Sequence, residues 1–502
     1  AAGTTEATEP HPSQPARPPR RGVSHMESLI VWVDWFFLLY FLLMNTSYGV
    51  LILLAFWEVL LQRARWSNHA LLWTEASPHI PPISILAPAY NEEETILDSV
   101  QALLGLSYPE YEVVIINDGS SDDTLRTLID AFELFAIEPV CQIKLPSARI
   151  RALYRSRKSP RLLIVDKENG GKADALNCGL NVARYPLFCA IDADTLILPD
   201  ALRKVAQPFI EDPVQTIVSG GTIRIANGCS ISKGKITKYG LPANPWACFQ
   251  VLEYLRAFLF GRIGWNSLGG TLIISGAFGL FRRDLVMDVG GYSVLTVGED
   301  MELIVRLHKH MRQAGRPYRI HFVWASLCYT EVPESPKVLS RQRNRWQRGL
   351  IDSLGWHASL FMNPRYGSVG LLAFPFFFVF ELIGPLLEVF GLILIFCSGL
   401  MGYLDAPFML LFLSVSVFFG TLLSVGALFL EELSFGHYTN RGALLRLTSY
   451  ALIENFGYRQ LTLVWRIRGI WSAIRGQKQW GKMIRKGFQR VSSCERQRDE
   501  RR

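Results

Sequence analysis

The sequence predicts an α/β fold, a mixed and mostly parallel sheet covered by helices, joined to α-helices that cross or lie on a membrane. Short apolar runs alternate with amphipathic ones between residues 80 and 335, which is typical of strands that alternate with helices. Apolar runs of bilayer length flank this region, and the 502-residue chain is 49% hydrophobic with a mean hydropathy of +0.18. We therefore expect one α/β domain in the cytosol and several membrane-associated helices.

The N-terminal part combines a polar tail with the first apolar run. Residues 1–27 are rich in Pro, Ala, Arg and Ser, which predicts a disordered tail or the remnant of a cleaved tag. Residues 28–62 are apolar and aromatic, and about 20 apolar residues suffice to cross a bilayer. One tilted or extended span is favoured over two short spans joined near Asn45. Arg63 and Arg65 predict that the C-terminal end of this span is cytosolic.

Polar residues follow the predicted strands of the α/β region where each strand ends. Ligands bind at the carboxyl ends of parallel strands, so we expect these polar residues to form one site. The predicted strands cover residues 83–90, 111–118, 161–167 and 187–194, and the predicted helices cover residues 92–104, 122–135 and 173–182. The polar residues at the strand ends are Asn91, Glu92, Asn117, Asp118, Asp192 and Asp194.

The C-terminal third is predicted to be helical and membrane-bound. Residues 338–363 contain the cationic and aromatic stretch RQRNRWQRGL, which suits an interfacial helix. Residues 368–431 hold two apolar runs separated by a short turn, which predicts a transmembrane hairpin. Residues 443–502 predict amphipathic or interfacial helices followed by a basic tail, which is cytosolic by the positive-inside rule.

Charge and cysteine content argue against two other classes of function. The net charge is +8, and much of it lies in the basic tail, so binding to nucleic acid is not needed to explain it. The eight cysteines form no CxxC pair, which disfavours a zinc site and fits a reducing, cytosolic location.

The stretch CAIDADTLILPD runs a buried strand directly into two carboxylates, Asp192 and Asp194. A capped turn after the strand is one interpretation. Adjacent carboxylates repel each other, however, so a positive group between them is expected. A divalent cation with oxygen ligands, carrying substrate phosphates on its other positions, supplies that charge.

Two glycine-containing stretches support a phosphate-binding site. NDGSSDDT follows a strand and opens a helix; a turn with a helix cap explains part of it but leaves Asp118 unexplained. GGKADALN places Lys172 at a helix start, where a cation and the helix N-terminus both favour phosphate. The alternative for Lys172 is an ordinary solvated lysine.

Two further motifs lie nearer the membrane segments. In VGED, Asp300 either complements the dipole of the following helix or acts as a general base toward an attacking hydroxyl. In QRNRW, Trp346 and Arg345 either anchor the chain at the lipid boundary or serve a ligand. In the second case Trp346 stacks on a sugar ring and Arg345 contacts a diphosphate.

These elements, in this order, resemble family 2 membrane glycosyltransferases of the GT-A fold. The resemblance covers about residues 80 to 430 and rests on the aspartate of NDG, the DxD motif, the GED motif and QxxRW. Chitin, hyaluronan, cellulose and poly-N-acetylglucosamine synthases share this set. The resemblance implies a nucleoside-diphosphate-sugar donor, usually a UDP-sugar, together with Mg²⁺ or Mn²⁺ and inversion at the anomeric carbon.

The resemblance also assigns roles to residues of this chain. Asp300, with Glu299, is expected at the catalytic position, and Asp194 is expected to coordinate the metal. Ser275, Gly276 and Trp346 are expected to contact the acceptor, the first two within the stretch SGAF. The residues expected to bind the donor nucleotide are Asn91, Glu92, Asp118, Lys172, Asp192, Gln342, Arg345 and Trp346.

The main functional hypothesis is a processive synthase that adds N-acetylglucosamine or glucose to a polysaccharide. The alternatives are a single transfer to a lipid acceptor and a membrane scaffold or transporter without catalysis. We expect a multi-pass protein of the inner or plasma membrane with its catalytic domain in the cytosol. Because the membrane part is smaller than that of cellulose synthase, we expect either a narrow channel or one that an export partner or a second copy completes.

Two carboxylates in the first run of the hairpin, Glu381 and Glu388, lie seven residues apart and therefore on one helix face. Their burial is unfavourable unless they are paired or face water. An ion pair with a neighbouring helix and a polar path for a growing polysaccharide both stay open.

Overall fold

The computed structural model describes residues 25–69, 80–138, 143–192, 195–232, 235–403, 406–436 and 441–477. Most of the predicted N-terminal tail and the basic end of the predicted tail lie outside the described residues. The second aspartate of the DxD motif, Asp194, lies outside them as well.

The first apolar run forms a single helix, α1 (His25–His69), of which Ser28–Leu61 is long and apolar enough to cross a membrane. The helix continues through Asn45, which disagrees with the alternative of two short spans joined near that residue. The Asn45 amide donates to the Phe41 carbonyl (3.0 Å) and, across to the hairpin, to the Val415 carbonyl (3.0 Å). These two bonds satisfy a polar side chain within an apolar segment.

The α/β region follows α1 and contains both strands and short helices. Its elements are β1 (Ile83–Ala89), α2 (Ile96–Leu104), β2 (Tyr111–Asp118), α3 (Thr124–Phe132), β3 (Leu134–Ile137), β4 (Ile150–Ser156), β5 (Leu162–Lys167), α4 (Lys172–Val182), β6 (Leu187–Ile191), β7 (Leu196–Ile197), α5 (Ala201–Glu211), β8 (Thr216–Ile225), β9 (Ser230–Ser232) and β10 (Lys235–Lys238). It continues with α6 (Pro245–Glu253), a π-helical segment (Tyr254–Gly261), α7 (Arg262–Ser267), β11 (Phe278–Arg282), α8 (Arg283–Asp288), α9 (Glu299–Gln313) and β12 (Arg319–Thr330).

The main sheet is mixed, with the order β3-β4-β5-β2-β1-β6-β11-β8-β12-β7. Strands β5, β2, β1 and β6 are parallel, and so are β8 and β12. Strands β3 and β4 at one edge, β11 in the middle and β7 at the other edge pair antiparallel with their neighbours. The parallel part therefore lies where the predicted strand–helix units are, and the carboxyl ends of its strands share one edge.

The parallel strands are buried on both faces because apolar side chains alternate between two core regions. Ile83 and Ile85 of β1 pack with α2, α3 and α5, whereas Leu86 packs with α4. Successive side chains of a strand point to opposite faces of the sheet, and helices cover both faces. The nearly continuous apolar sequence of these strands is expected for this arrangement.

The boundaries of two predicted helices are shifted. Helix α2 begins at Ile96 rather than residue 92, because the Glu92 amide donates to the Thr124 hydroxyl (2.9 Å) and residues 92–95 form a turn. Helix α3 ends at Phe132, since Glu133 adopts a left-handed conformation with φ of 48°. The next residues form the edge strand β3, which was not predicted.

The C-terminal third is helical, as expected. It contains α10 (Pro336–Trp356), 3₁₀ turns (Ala358–Leu360 and Pro364–Tyr366), a π-helical segment (Val369–Ala373), α11 (Phe374–Phe376), a second π-helical segment (Phe377–Ile383), α12 (Gly384–Leu400), α13 (Ala406–Leu413), a third π-helical segment (Ser414–Phe418), α14 (Phe419–Phe435), α15 (Arg441–Ile453) and α16 (Tyr458–Ile474). The continuous helices Val369–Leu400 and Ala406–Phe435 are long and apolar enough to cross a membrane, which fits the predicted hairpin.

Buried ion pairs join the α/β domain to the apolar helices. Arg224 of β8 makes two hydrogen bonds to Glu431 of α14, at 2.6 and 3.2 Å. Arg256 contacts Glu454 at 2.6 Å. The α6–α7 segment also packs on α1, where Gly264 contacts the backbone of Leu51 so closely that no side chain would fit. The domain is thus fixed against the apolar helices.

Candidate active site

Four of the predicted strand-end residues, Asn91, Glu92, Asp118 and Asp192, line one cavity of about 1460 Å³. Asn117 does not line it, because its side chain is buried and donates to Asp166 (2.7 Å). Asn91 and Glu92 follow β1, Asp118 ends β2, and Asp192 follows β6. Because these strands are parallel neighbours, their carboxyl ends bring residues that are distant in the chain to one edge of the sheet.

Asp118 lies at the floor of the cavity and is held by β5 and the loop that follows it. It pairs in register with Lys167, and the two side chains form an ion pair. Its carboxylate also accepts hydrogen bonds from the amides of Gly170 (3.0 Å) and Gly171 (2.8 Å). Lys167 contacts Asp174 at 2.6 Å as well. Asp118 therefore fixes the loop that leads into Lys172.

The fully buried Lys167 remains charged in this setting. Burial opposes its positive charge, but the hydrogen bonds and charges of Asp118 and Asp174 outweigh it and raise the pKa of Lys167. No local sequence pattern indicates Lys167, because its partner lies 49 residues away and is defined only by strand register.

Asn91 and Glu92 tie two loops together at the mouth of the cavity. The Asn91 side chain accepts a hydrogen bond from the Ser121 amide (2.8 Å), and Asn91 has a φ of 55°, which asparagine tolerates better than most residues. The Glu92 carboxylate accepts a hydrogen bond from the Thr95 hydroxyl (2.9 Å). Both residues line the cavity.

Lys172 connects the DxD region to the GED motif. Its ammonium lies 2.5 Å from Asp192 and 3.8 Å from Glu299, and it donates to the Gly276 carbonyl at 3.2 Å. The amide of Gly276 in turn donates to Asp300 at 3.0 Å. One connected network therefore joins the two predicted donor residues to the predicted catalytic and acceptor residues.

Burial and neighbouring charges shift the pKa values of Lys172 and Glu299 in this network. Burial opposes the charge on Lys172, but Asp192 and Glu299 outweigh it and raise the pKa of Lys172. Burial raises the pKa of Glu299; Lys172 opposes this shift, and the neighbouring Asp300 adds to it. Glu299 and Asp300 also begin helix α9, where acidic residues are favourable.

The QxxRW residues lie on α10 and face the same cavity. Gln342 is buried, and its side-chain oxygen has no hydrogen-bond partner among the described residues. Trp346 packs on Phe258, with ring centroids 5.5 Å apart, and the Arg343 guanidinium lies 4.2 Å from the centre of its indole ring. Arg345 lines the cavity too, as do Ser275 and Gly276, which are expected to contact an acceptor.

Arg343 is a second residue that sequence analysis did not single out. It occupies a variable position of QxxRW, yet it is buried, stacks on Trp346 and pairs with Glu253 at 2.7 Å. The tyrosine hydroxyl of Tyr458 donates to the same Glu253 carboxylate at 3.0 Å. Arg343 thus fixes the orientation of the tryptophan.

The described part of the chain offers no cluster of three or more His, Cys, Asp or Glu side chains that could hold a metal ion. The metal ligand expected from the sequence, Asp194, is outside that part. Asp192 offers a carboxylate that lines the cavity. A cation that takes only one or two carboxylates from the protein and completes its shell with phosphate oxygens, as Mg²⁺ does, fits this donor set.

The cavity extends beyond Trp346 to the apolar helices. Tyr48 of α1, Phe380 and both hairpin carboxylates line it. Glu381 contacts Arg466 at 2.8 Å and accepts a hydrogen bond from Tyr48, so the predicted ion pair with a neighbouring helix is present for this residue. Glu388 forms no ion pair with a described residue.

The fold and the site define a glycosyltransferase. The family described as "Glycosyltransferase like family 2" matches residues 81–349, which is more than half of the 502-residue chain. The chain belongs to this family. The match ends three residues after Trp346, so it includes all the motifs of the cavity up to QxxRW.

Curated relatives carry the name poly-beta-1,6-N-acetyl-D-glucosamine synthase. The protein from Staphylococcus epidermidis is 34% identical over 285 residues, 56% of this chain and 58% of the relative. The protein from Staphylococcus aureus is 34% identical over 270 residues, 53% of this chain and 54% of the relative. The matches thus span less than two thirds of these relatives.

Two solved structures align with this chain at low sequence identity. A mannosyltransferase from Pyrobaculum calidifontis in complex with GDP-Man and Mn²⁺ is 17% identical, with a TM-score of 0.48, and covers 84% of this chain and 99% of that chain. TarS 1-349 from S. aureus in complex with UDP-GlcNAc is 15% identical, with a TM-score of 0.34, and covers 82% of this chain and 97% of that chain.

Proposed function

We propose that this chain transfers N-acetylglucosamine or glucose from a UDP-sugar to the hydroxyl end of a growing polysaccharide. The observation that carries this proposal is the continuity of the cavity, which joins the carboxylates at the strand ends to a space among the apolar helices. A polymer extended beside Asp300 would have a path toward the membrane. The names of the relatives favour N-acetylglucosamine as the sugar.

The donor would bind where Asn91, Glu92 and Asp118 line the cavity. Asp118 and the glycines after it would shape the nucleotide pocket, and Asp192 would contact the nucleotide or its ribose. The ammonium of Lys172, 2.5 Å from Asp192, is well placed to move onto the diphosphate. A charge-assisted hydrogen bond from Lys172 would stabilise the negative charge that develops on the leaving group.

A divalent cation, Mg²⁺ or Mn²⁺, would be held by Asp194 beside Asp192, with diphosphate oxygens as further ligands. When bound, it would neutralise part of the diphosphate charge. Arg345 and Gln342 would close over the donor from α10.

Asp300 would act as the general base. Its two carboxylate oxygens accept hydrogen bonds from the amides of Gly276 (3.0 Å) and Met301 (2.8 Å), which fix its orientation at the start of α9. It would remove the proton of an acceptor hydroxyl as that oxygen attacks the anomeric carbon and the nucleoside diphosphate leaves. One displacement from the opposite face inverts the configuration of the sugar.

The acceptor sugar would stack on Trp346, next to Ser275 and Gly276. Phe258 and Arg343 restrict the rotation of the indole ring, so the stacking surface is prepared before the sugar arrives. Glu299, which shares Lys172 with Asp192, would assist by keeping that lysine near the reacting groups.

We further propose that the protein is a multi-pass protein of the inner or plasma membrane with its catalytic domain in the cytosol. The three long apolar helices support membrane association. Glu388, which lines the cavity, would offer hydrogen bonds to passing sugar hydroxyls. An export partner or a second copy would complete the channel.

A donor screen tests the proposed function. The purified chain is incubated with several UDP- and GDP-sugars and Mg²⁺ or Mn²⁺, nucleotide release is measured, and the products are analysed by mass spectrometry. A ladder or high polymer from one UDP-sugar is expected. A single glycolipid as the product would contradict polymer synthesis and support single transfer to a lipid acceptor. The absence of nucleotide release with every donor would overturn both of these functions.

A further inference from the structure

Six arginines of the described residues line the cavity, and one of them differs from the rest in its contacts. Four form ion pairs with carboxylates: Arg256, Arg343, Arg459 and Arg466. Arg345 also interacts with other groups. Arg262, in contrast, makes neither a hydrogen bond nor an ion pair with any residue that the structure describes.

The position of Arg262 is set by a π-helical segment. Arg262 is the first residue of α7, directly after the π-helical Tyr254–Gly261. Its guanidinium lies 4.6 Å from the centre of the Phe258 ring and 6.0 Å from that of Phe322. An aromatic ring therefore covers the flat face of the guanidinium, while its N–H groups have no acceptor among the described residues.

Arg262 belongs to the acceptor side of the cavity. Phe258, on which it stacks, packs on Trp346 of QxxRW. Burial lowers the pKa of Arg262 to about 10, and Asp300 is the carboxylate whose charge opposes this shift. The donor carboxylate Asp192, by comparison, is paired with Lys172.

The surroundings of Arg262 suit a saccharide. Arg262 and Asp300 line the same cavity, and Phe258, on which Arg262 stacks, packs on Trp346. Sugar hydroxyl and acetamido oxygens accept hydrogen bonds without adding charge. The aromatic pair formed by Phe258 and Trp346 also offers apolar surface to a sugar ring, as carbohydrate sites generally require.

We propose that Arg262 binds the acceptor saccharide, donating hydrogen bonds to oxygens of the sugar unit whose free hydroxyl faces Asp300. This inference rests on the proposed function, since it names a residue that binds the acceptor of the same transfer. Arg262 would be a specificity-determining residue for the acceptor and would not touch the donor.

The test separates the binding of acceptor from that of donor. The full chain is purified, and Arg262→Gln is assayed with the donor identified by the screen and short N-acetylglucosamine oligomers as soluble acceptors. The KM for the acceptor is expected to rise about 10- to 100-fold, because a charge-assisted hydrogen bond is lost, while the KM for the donor changes less than about twofold. Arg262→Lys, which keeps the charge but not the planar fork, is expected to give an intermediate acceptor KM.

Arg312→Gln is the matched control. Arg312 also lies over a tyrosine ring, that of Tyr318 at 5.5 Å, but it is exposed and does not line the cavity. Its substitution is expected to leave both KM values unchanged. The melting temperature of each variant is measured in parallel, and if Arg262→Gln does not fold, Arg262→Lys carries the same comparison.

Two outcomes would overturn the inference: a rise in the donor KM with an unchanged acceptor KM, or no change in either. Failure of the proposed function gives a different result, because the wild-type chain itself would then transfer no sugar.

Discussion

The backbones of Gly298 and Gly349 are in direct contact: a methyl group added to either residue would lie 2.7 Å from the Cα atom of the other. Gly298 directly precedes Glu299 and Asp300, and Gly349 lies three residues after Trp346 on α10. The contact therefore sets the distance between the proposed base and the proposed stacking surface for the acceptor. It depends on the absence of a side chain at both positions.

Substitution of Gly349 by alanine is expected to separate the GED motif from α10. Displacements of about 1 Å in a catalytic arrangement can reduce the rate about 100-fold, and overpacking costs about 1–3 kcal/mol of stability. Sugar transfer and melting temperature of Gly349→Ala measure both effects. Gly355→Ala is the control, because a methyl group at this position of the same helix meets no atom within 4 Å. Equal activity of the two variants would show that sugar transfer does not depend on the contact between Gly298 and Gly349.

Lys172→Gln is expected to weaken donor binding about 10-fold and to slow transfer further. The substitution removes the ammonium that Asp192 and Glu299 share, so their negative charges would oppose the arriving diphosphate. Donor binding is measured by isothermal titration with UDP-sugar and transfer by nucleotide release. The control is Lys158→Gln, which removes an exposed ion pair with Glu133 and a hydrogen bond to the Ala131 carbonyl and does not touch the cavity. Unchanged donor affinity would exclude Lys172 from the donor site.

His308 is expected to make stability depend on pH. Its Nε2–H donates to the Thr271 carbonyl (2.8 Å), so Nδ1 accepts from the Tyr318 hydroxyl (2.7 Å), and the ring is neutral. Burial lowers the pKa of His308 to about 4 from 6.5. As the pH falls, the unfolded chain therefore binds a proton at this histidine at a higher pH than the folded chain does. Up to about 3 kcal/mol of stability that is present above pH 6.5 is therefore lost as the pH falls toward 4.

The melting temperatures of the wild type and His308→Gln between pH 7.5 and 4.5 test this expectation. The wild type is expected to be more stable at pH 7.5, and the difference is expected to shrink on acidification, because the variant lacks the titrating group. His310→Gln on the same helix serves as control. A constant difference across the range would contradict a neutral, buried His308.

The ion pair between Arg224 and Glu431 is expected to hold the α/β domain on the apolar helices. Glu431→Leu leaves the buried guanidinium without this partner and is expected to cost about 3–5 kcal/mol. The double variant Arg224→Met/Glu431→Leu carries no charge at either position, so most of the lost stability should be recovered. Thermal unfolding in detergent measures both; equal melting temperatures of the single and double variants would argue against this role.

Much of the architecture could be predicted from local patterns, because strand–helix alternation and apolar runs each depend on neighbouring residues. Asn91, Glu92, Asp118 and Asp192 line one cavity, since parallel strands share one edge. Lys167, Arg343 and Arg262 could not be recognised in this way. Strand register places Lys167, packing between helices places Arg343, and a π-helical segment places Arg262. The four-residue strand β3 was missed because it is short and half-buried at the sheet edge.

The proposed role of Asp300 as base is tested most directly by Asp300→Asn. Donor binding is measured by titration, and sugar transfer is measured with the donor and acceptor used for the wild type. The account predicts that the variant binds the donor with nearly wild-type affinity but transfers sugar at least about 100-fold more slowly, because asparagine cannot accept the hydroxyl proton. Transfer at the wild-type rate by Asp300→Asn would contradict the account.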